Sequence, residues 1–129
     1  SWGNGLVTIR MTSHVDSVVQ IPDNVTYNNF RYRVDEVTFD AFRNDKELQS
    51  VIIPPRVHVM KGAFKGCDQL RDIYINGAPP LVGNELWPTE IDHAFDAPHF
   101  SKVKIHVPKQ CRKCYATSPW KRFEHYVYY

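Results

Sequence analysis

Long apolar runs are missing from this sequence. Nothing in its 129 residues approaches the roughly 18 uninterrupted apolar residues that a membrane-spanning helix needs, so no membrane span is expected. Charge of one sign is scarce as well. Sixteen Lys and Arg stand against fourteen Asp and Glu, a net charge of +2, with only a modest basic cluster over residues 102–113 and at Lys121 and Arg122. Nucleic-acid binders concentrate a basic stripe, so nucleic acid is not an expected partner and the cluster reads as solvated surface. Cysteine is too rare, at three residues, to close a disulfide framework, and a chain of this length does not require one. No basic-then-apolar leader opens the sequence, which leaves export open because leaders are removed from mature proteins.

Catalytic constellations are lacking too. His14, His58, His93, His99, His106 and His125 are dispersed and read as surface residues, and no Ser or Cys stands in a recognisable nucleophile motif. Asp35 with Glu36, and Asp92 with Asp96, are neighbours in sequence, but carboxylates become an acid–base pair only where a cleft fixes their separation. They read as solvated charge. No cofactor and no enzymatic activity are expected. One cluster points the other way: Cys111 and Cys114 form a C-x-x-C with His106 just upstream, and thiolate and imidazole are zinc ligands. The rival reading is therefore a small thiol- or zinc-dependent protein using these three residues, although a structural zinc site would show a second paired ligand set. In an exported protein, Cys111 and Cys114 could instead form a local disulfide. Asn24, Val25 and Thr26 fit a glycosylation sequon, which acts only in a host that glycosylates.

What is present is a repeat. Laying residues 37–54 over 59–76 puts Val37 on Val59, Ala41 on Ala63, Phe42 on Phe64, Leu48 on Leu70, Val51 on Ile73 and Ile53 on Ile75, always 22 residues apart. A fixed period in this range marks a solenoid, whose units cover one another's apolar faces. Ala94 and Phe95, followed by Val103, Ile105, Val107 and Pro108, make a degenerate third copy, and "VVQIP" at 18–22 is an earlier partial one. The runs at 48–53 and 70–75 alternate with period two and read as short strands, stopped by Pro22, Pro54, Pro55 and Pro108. Phe42, Phe64 and Phe95 are expected to form one interior stack, with Cys67 packed beside it. Residues 5–10 and 26–34 read as strands around the turn pair Asn28 and Asn29, an N-terminal hairpin cap. Tyr115, Trp120, Phe123, Tyr126, Tyr128 and Tyr129 supply an aromatic C-terminal cap.

With "LQSVIIPPRVHVMKGAFKGC" at 48–67, the Ala-Phe pairs, and a closing pattern of Pro79, Pro80, Tyr115 and "PWKRF" at 119–123, the chain resembles the BspA-type leucine-rich repeat proteins of bacterial surfaces. Thr38 and Met60 stand where that pattern often has glycine, and Asp45 stands where the later rung has Cys67. The resemblance implies a leucine-rich-repeat solenoid, mainly β with short parallel strands and short helical turns. It also implies a secreted or surface-anchored location and a role in adhesion or binding. Residues 1–129 are expected to form one domain: cap and partial rung over 1–36, two clear rungs over 37–76, and degenerate rung with cap over 77–129.

Alternation that sends Val51, Ile53, Ile73, Ile75, Ile105 and Val107 inward sends their neighbours outward. Gln20, Ile52, Tyr74 and His106 then form one exposed row and Val18, Ser50, Asp72 and Lys104 another. This mixed strip is the candidate surface for a protein or glycan ligand, a host matrix or cell-surface component among them. The plainer readings are a merely solvated face, or a spacer within a larger surface protein.

Overall fold

The computed structural model describes residues 17–129 in full and the backbone of Trp2–Ile9; residue 10 of the first expected strand and His14 lie outside the described residues. Among the described residues the strands are β1 (Trp2–Ile9), β2 (Val18–Gln20), β3 (Asn24–Tyr27), β4 (Phe30–Val37), β5 (Ser50–Ile52), β6 (His58–Val59), β7 (Asp72–Tyr74), β8 (Leu81–Val82), β9 (Lys104–Val107) and β10 (His125–Tyr128). The period-two pattern does what it requires: Val51, Ile53, Ile73, Ile75, Ile105 and Val107 are all buried. From β4 to β9 the chain alternates between two sheets. The first runs β1, β4, β6, β8, every neighbouring pair parallel, with β3 antiparallel to β4; the second runs β2, β5, β7, β9, β10, also parallel throughout. The core lies between them, where Val37 and Val59 of the first sheet join the inward residues of the second.

Coil segments close each layer, and the Ala-Phe pairs sit there. Phe42, Phe64 and Phe95 stack face to face, with centroids 5.3 and 5.0 Å apart and planes within 7°. Backbone hydrogen bonds tie one layer to the next, Phe42 N–H donating to Ala63 O at 2.8 Å and Phe64 N–H to Ala94 O at 2.9 Å. Alanine is required by that approach, since a larger side chain would hold the layers apart. The 22-residue period also survives in backbone conformation: Asp40 (φ 58°) and Asn44 (φ 61°) are left-handed where Gly62 (φ 78°) and Gly66 (φ 77°) stand one period later. Asp and Asn are the non-glycine residues that best tolerate this region. The exchange of Asp45 for Cys67 has a similar logic. Asp45 Oδ1 accepts the N–H groups of Glu47 and Leu48, whereas Cys67, fully buried, donates its thiol to Phe42 O at 3.0 Å. Burial pushes that thiol up to about 12, which keeps it protonated.

The N-terminal hairpin departs from expectation. Asn28 (φ 50°) and Asn29 (φ 67°) do form a two-residue turn, but it joins β3 to β4, with Tyr27 opposite Phe30. So short a turn can join only strands adjacent in sequence. The strand beginning at Trp2 therefore lies on the other side of β4, parallel to it.

The third layer is also remodelled. Short helices α1 (Ile91–Ala94) and α2 (Ala97–Lys102) replace the coil of the earlier layers. Asp96, at the start of α2, accepts Gly66 N–H at 2.7 Å and so still ties this layer to the one before. His99 of α2 corrects the reading of the histidines as surface groups. It is 2% exposed, its Nδ1 accepts Asp96 N–H and its Nε2–H donates to Cys67 O at 2.8 Å. Past β9, a 3-10 turn (Lys109–Cys111), α3 (Arg112–Ala116) and a second 3-10 turn (Pro119–Arg122) fold over the end of the core. Trp120 and Phe123 pack edge-on against Phe95, Trp120 Nε1–H donates to Pro80 O, and Tyr115 O–H donates to Gly77 O, both at 2.8 Å. Tyr129 remains exposed.

Candidate functional site

The outward face of the second sheet is positioned by strict parallel register. Gln20, Ile52, Tyr74 and His106 are consecutive cross-strand partners, as are Val18, Ser50, Asp72 and Lys104. Between the two rows runs the buried line of Val19, Val51, Ile73 and Ile105. The two outward rows are thus brought together in the order read from the sequence, with Ser50, Ile52, Asp72 and His106 half-buried. β10 lengthens both: Val127 pairs with His106 and His125 with Lys104. These two residues were not anticipated, although the alternation His125, Tyr126, Val127, Tyr128 carried the signal, with Tyr126 and Tyr128 packed toward the core. Five strands at about 4.8 Å spacing make a strip about 19 Å long.

Its centre is organised. His106 Nε2–H donates to Asp72 Oδ1 at 2.8 Å, and the Tyr74 ring stacks on the imidazole with centroids 4.1 Å apart. The hydrogen bond joins the two rows diagonally and holds the ring pair in place. Tyr74 is 39% exposed, Val127 40% and Val18 53%, while Ile52 is half-buried at the middle. Lys104 and His125 stand exposed at one corner. At the strand ends, Gln20, Ile52, Pro54 and Asn76 line a hollow of about 500 Å³, and Asn76 Oδ1 accepts the Tyr129 hydroxyl at 3.1 Å. Among the described residues no Ser or Cys hydrogen-bonds to His106. What the strip offers is contact area with a few fixed polar groups, the makings of recognition.

The zinc reading does not assemble. Cys111, Cys114 and Cys67 are free thiols, and among the described residues no group of three or more His, Cys, Asp or Glu is placed to hold a metal ion. His106 is engaged by Asp72 on the sheet face, and Cys111 and Cys114 ride on the turn and helix that follow. The carboxylates noted in sequence are separated by function: Asp92 lies 3.5 Å from Arg122, and Asp96 caps Gly66 and lies 3.7 Å from Lys65. No helix among the described residues is long and apolar enough to cross a membrane.

Neither a family model nor a curated protein matches the chain. Among solved structures, a leucine rich cell surface protein from Faecalibacterium prausnitzii A2-165 is similar, with a TM-score of 0.55 and 25% identity over 79% of this chain. The match covers 28% of that protein, so this chain spans well under a third of its length. Together with the parallel, layered strands, the likeness marks the fold as leucine-rich-repeat-like.

Proposed function

We propose that this leucine-rich-repeat-like chain is a non-enzymatic interaction module of a cell-surface or secreted protein, a short solenoid of BspA type that binds a protein or glycan through the outward face of its second sheet. One observation carries the reading: the outward row Ile52, Tyr74, His106, Val127, in register across four strands with its centre pinned by Asp72. The cell-surface character of the similar structure supports the location. Layered repeat sheets present side chains in rows, and a central tyrosine is a frequent anchor of a binding surface.

The experiment is a binding screen on arrays of extracellular-matrix proteins and of glycans, followed by the double substitution Ile52→Ser with Tyr74→Ser on any array component bound. Loss of a central anchor should weaken binding about tenfold or more. The melting temperature should stay nearly unchanged, as surface changes rarely exceed about 0.5 kcal/mol. Equal affinity in the double variant would move the site off this face. A large loss of stability would mean that these side chains face the core.

A further inference from the structure

Three cysteines cannot all pair with one another, and the fold decides which is left out. Cys67 is fully buried, donates its thiol to Phe42 O and is held protonated by that burial, so it is closed to solvent and chemically quiet. Cys111 is half-buried with its side chain packed against the core, and Cys114 is exposed. Both are free thiols, and Cys111 makes no capping hydrogen bond. The turn and helix that fold over the end of the core therefore carry one pair of uncommitted thiols, one accessible and one just behind it.

The backbone already spans what a disulfide needs. The separation of two Cα atoms three residues apart is set by the dihedrals of the two residues between them. Here those are Arg112 (φ −52°, ψ −45°) and Lys113, both inside α3. Helical rise and radius put Cys111 and Cys114 about 5 Å apart at Cα, within the roughly 4.4–6.8 Å that disulfides bridge. Cys111 stands at the N-cap of α3, and Cys114 at its third position. Side chains at these two positions meet in a capping box, and α2 shows the meeting in this chain: Asp96 and His99 hold the same places, and Asp96 N–H reaches His99 Nδ1 at 3.0 Å. Tyr115, next along α3, is buried and donates to Gly77 O, which fixes the helix to the body of the molecule. A second thiol held this close acts at high effective concentration, so a disulfide begun on one cysteine closes onto the other.

We propose that Cys111 and Cys114 form a reversible dithiol–disulfide site, closed and reopened by exchange with low-molecular-weight disulfides and thiols of the glutathione class. The exposed Cys114 thiolate attacks one sulfur of the oxidised reagent, which forms a mixed disulfide and expels one reagent thiolate. Cys111, deprotonated, then attacks Cys114 Sγ, breaks the mixed disulfide and expels the second. Two electrons pass from the cysteine pair to the reagent, and the two cysteine protons end on the two thiolates released. Lys109 and Lys113 are exposed beside the pair, neither in an ion pair among the described residues, and they favour the approach of an anionic reagent such as oxidised glutathione. The site does not rest on the ligand reading of the sheet face.

The test equilibrates the full chain with mixtures of oxidised and reduced glutathione, alkylates the remaining thiols and maps the peptides by mass spectrometry. Trypsin cuts after Arg112 and Lys113, between the two cysteines, so a closed disulfide leaves residues 110–112 joined to 114–121 until a reductant separates them. The wild type should yield that joined species in proportion to the oxidised share and lose it again in reduced glutathione, with Cys67 neither oxidised nor alkylated while the chain is folded. Cys111→Ser removes the thiol that resolves the mixed disulfide and should accumulate the glutathione adduct at Cys114 to about tenfold or more above the wild type. Wild type that stays reduced in oxidised glutathione overturns the proposal, as does one that collects adducts at Cys111 or Cys114 without closing. A disulfide to Cys67, or one between two chains, formed in place of the local one overturns it as well.

Discussion

Phe64→Ala strikes the layered packing at its centre. Phe64 is fully buried between two parallel rings, Phe42 at 5.3 Å and Phe95 at 5.0 Å, and its own backbone N–H is bonded to the layer beyond. Truncating a buried Phe to Ala costs about 3–5 kcal/mol through lost transfer energy and the cavity left behind. Ring contacts add about 0.5–1.5 kcal/mol per pair. Two stacked faces are lost here, and neighbours tied by interlayer hydrogen bonds cannot collapse into the hole. The expected cost is the upper half of the range, about 4–5 kcal/mol.

Phe42 is the internal control. It is the end ring, stacked on one neighbour only, and Phe42→Ala should cost about 1 kcal/mol less. Urea unfolding followed by tryptophan fluorescence, with the buried Trp120 as reporter, reads both. At an m-value of about 2 kcal/mol/M, Phe64→Ala lowers the midpoint by about 2 M. Because a domain's whole stability is about 5–15 kcal/mol, Phe64→Leu serves if the alanine variant does not fold. An unchanged midpoint for Phe64→Ala, or a larger loss at Phe42 than at Phe64, would refute the stacked-layer reasoning.

Two further outcomes follow from groups buried or strained by the same packing. Burial holds the pKa of His99 below its ordinary value, opposed by its bond to Cys67 O and the nearby Asp96, while Lys102 lowers it further and Asp68 raises it. The unfolded chain then binds the proton first, so His99 contributes stability that is full above about pH 6.5 and is lost as pH falls through its folded pKa. His99→Gln should flatten the fall in urea midpoint between about pH 7.5 and 5, and an identical slope would count against the neutral imidazole. At the left-handed positions, Gly62→Ala should destabilise by at least about 1–2 kcal/mol, because an added Cβ sits 1.9 Å from Asp40 Oδ1 at φ 78°. Asp40→Gly, at the equivalent site with φ 58°, should be near neutral, since it relieves the backbone and loses only the exposed bond to Arg43. Calorimetric melting of the pair checks this, and equal losses would mean that the 22-residue equivalence does not extend to backbone conformation.

Period was the most legible property of this sequence. Val51 and Ile73, Phe42 and Phe64, and the rows through Tyr74 and His106 could all be placed because one shift of 22 residues fits them at once and strand alternation then decides which side each faces. Legibility failed wherever the period is broken. The stretch 83–90 reads only as degeneracy, yet it carries Leu86, the most exposed large apolar side chain among the described residues. β10 was read as aromatic mass, because burial of Trp120 and Phe123 and strand pairing of Tyr126 and Tyr128 both use aromatics. The partner of β4 could not be read either, since parallel pairing with β1 leaves no local turn signature. His99 was missed because its bond to Cys67 O joins a helix to a layer 32 residues earlier.

The two faces of the second sheet answer to different pressures, and this separates packing from function at the rows. Inward residues Val51, Ile73 and Ile105 are fully buried and need nothing beyond apolar bulk of the right size. Outward residues have no such task. Asp72 and His106 have a structural reason, the hydrogen bond that ties β7 to β9 across the two rows. Tyr74 stacks on that pair but remains 39% exposed, Val127 is 40% exposed, and Ile52 lies half-buried among them. A polar side chain at each position would serve the sheet equally well and keep the surface wetter. Ile52 and Tyr74 on adjacent strands, and Val127 beyond His106, are therefore apolar where pairing does not demand it, which is what the proposed ligand face would use.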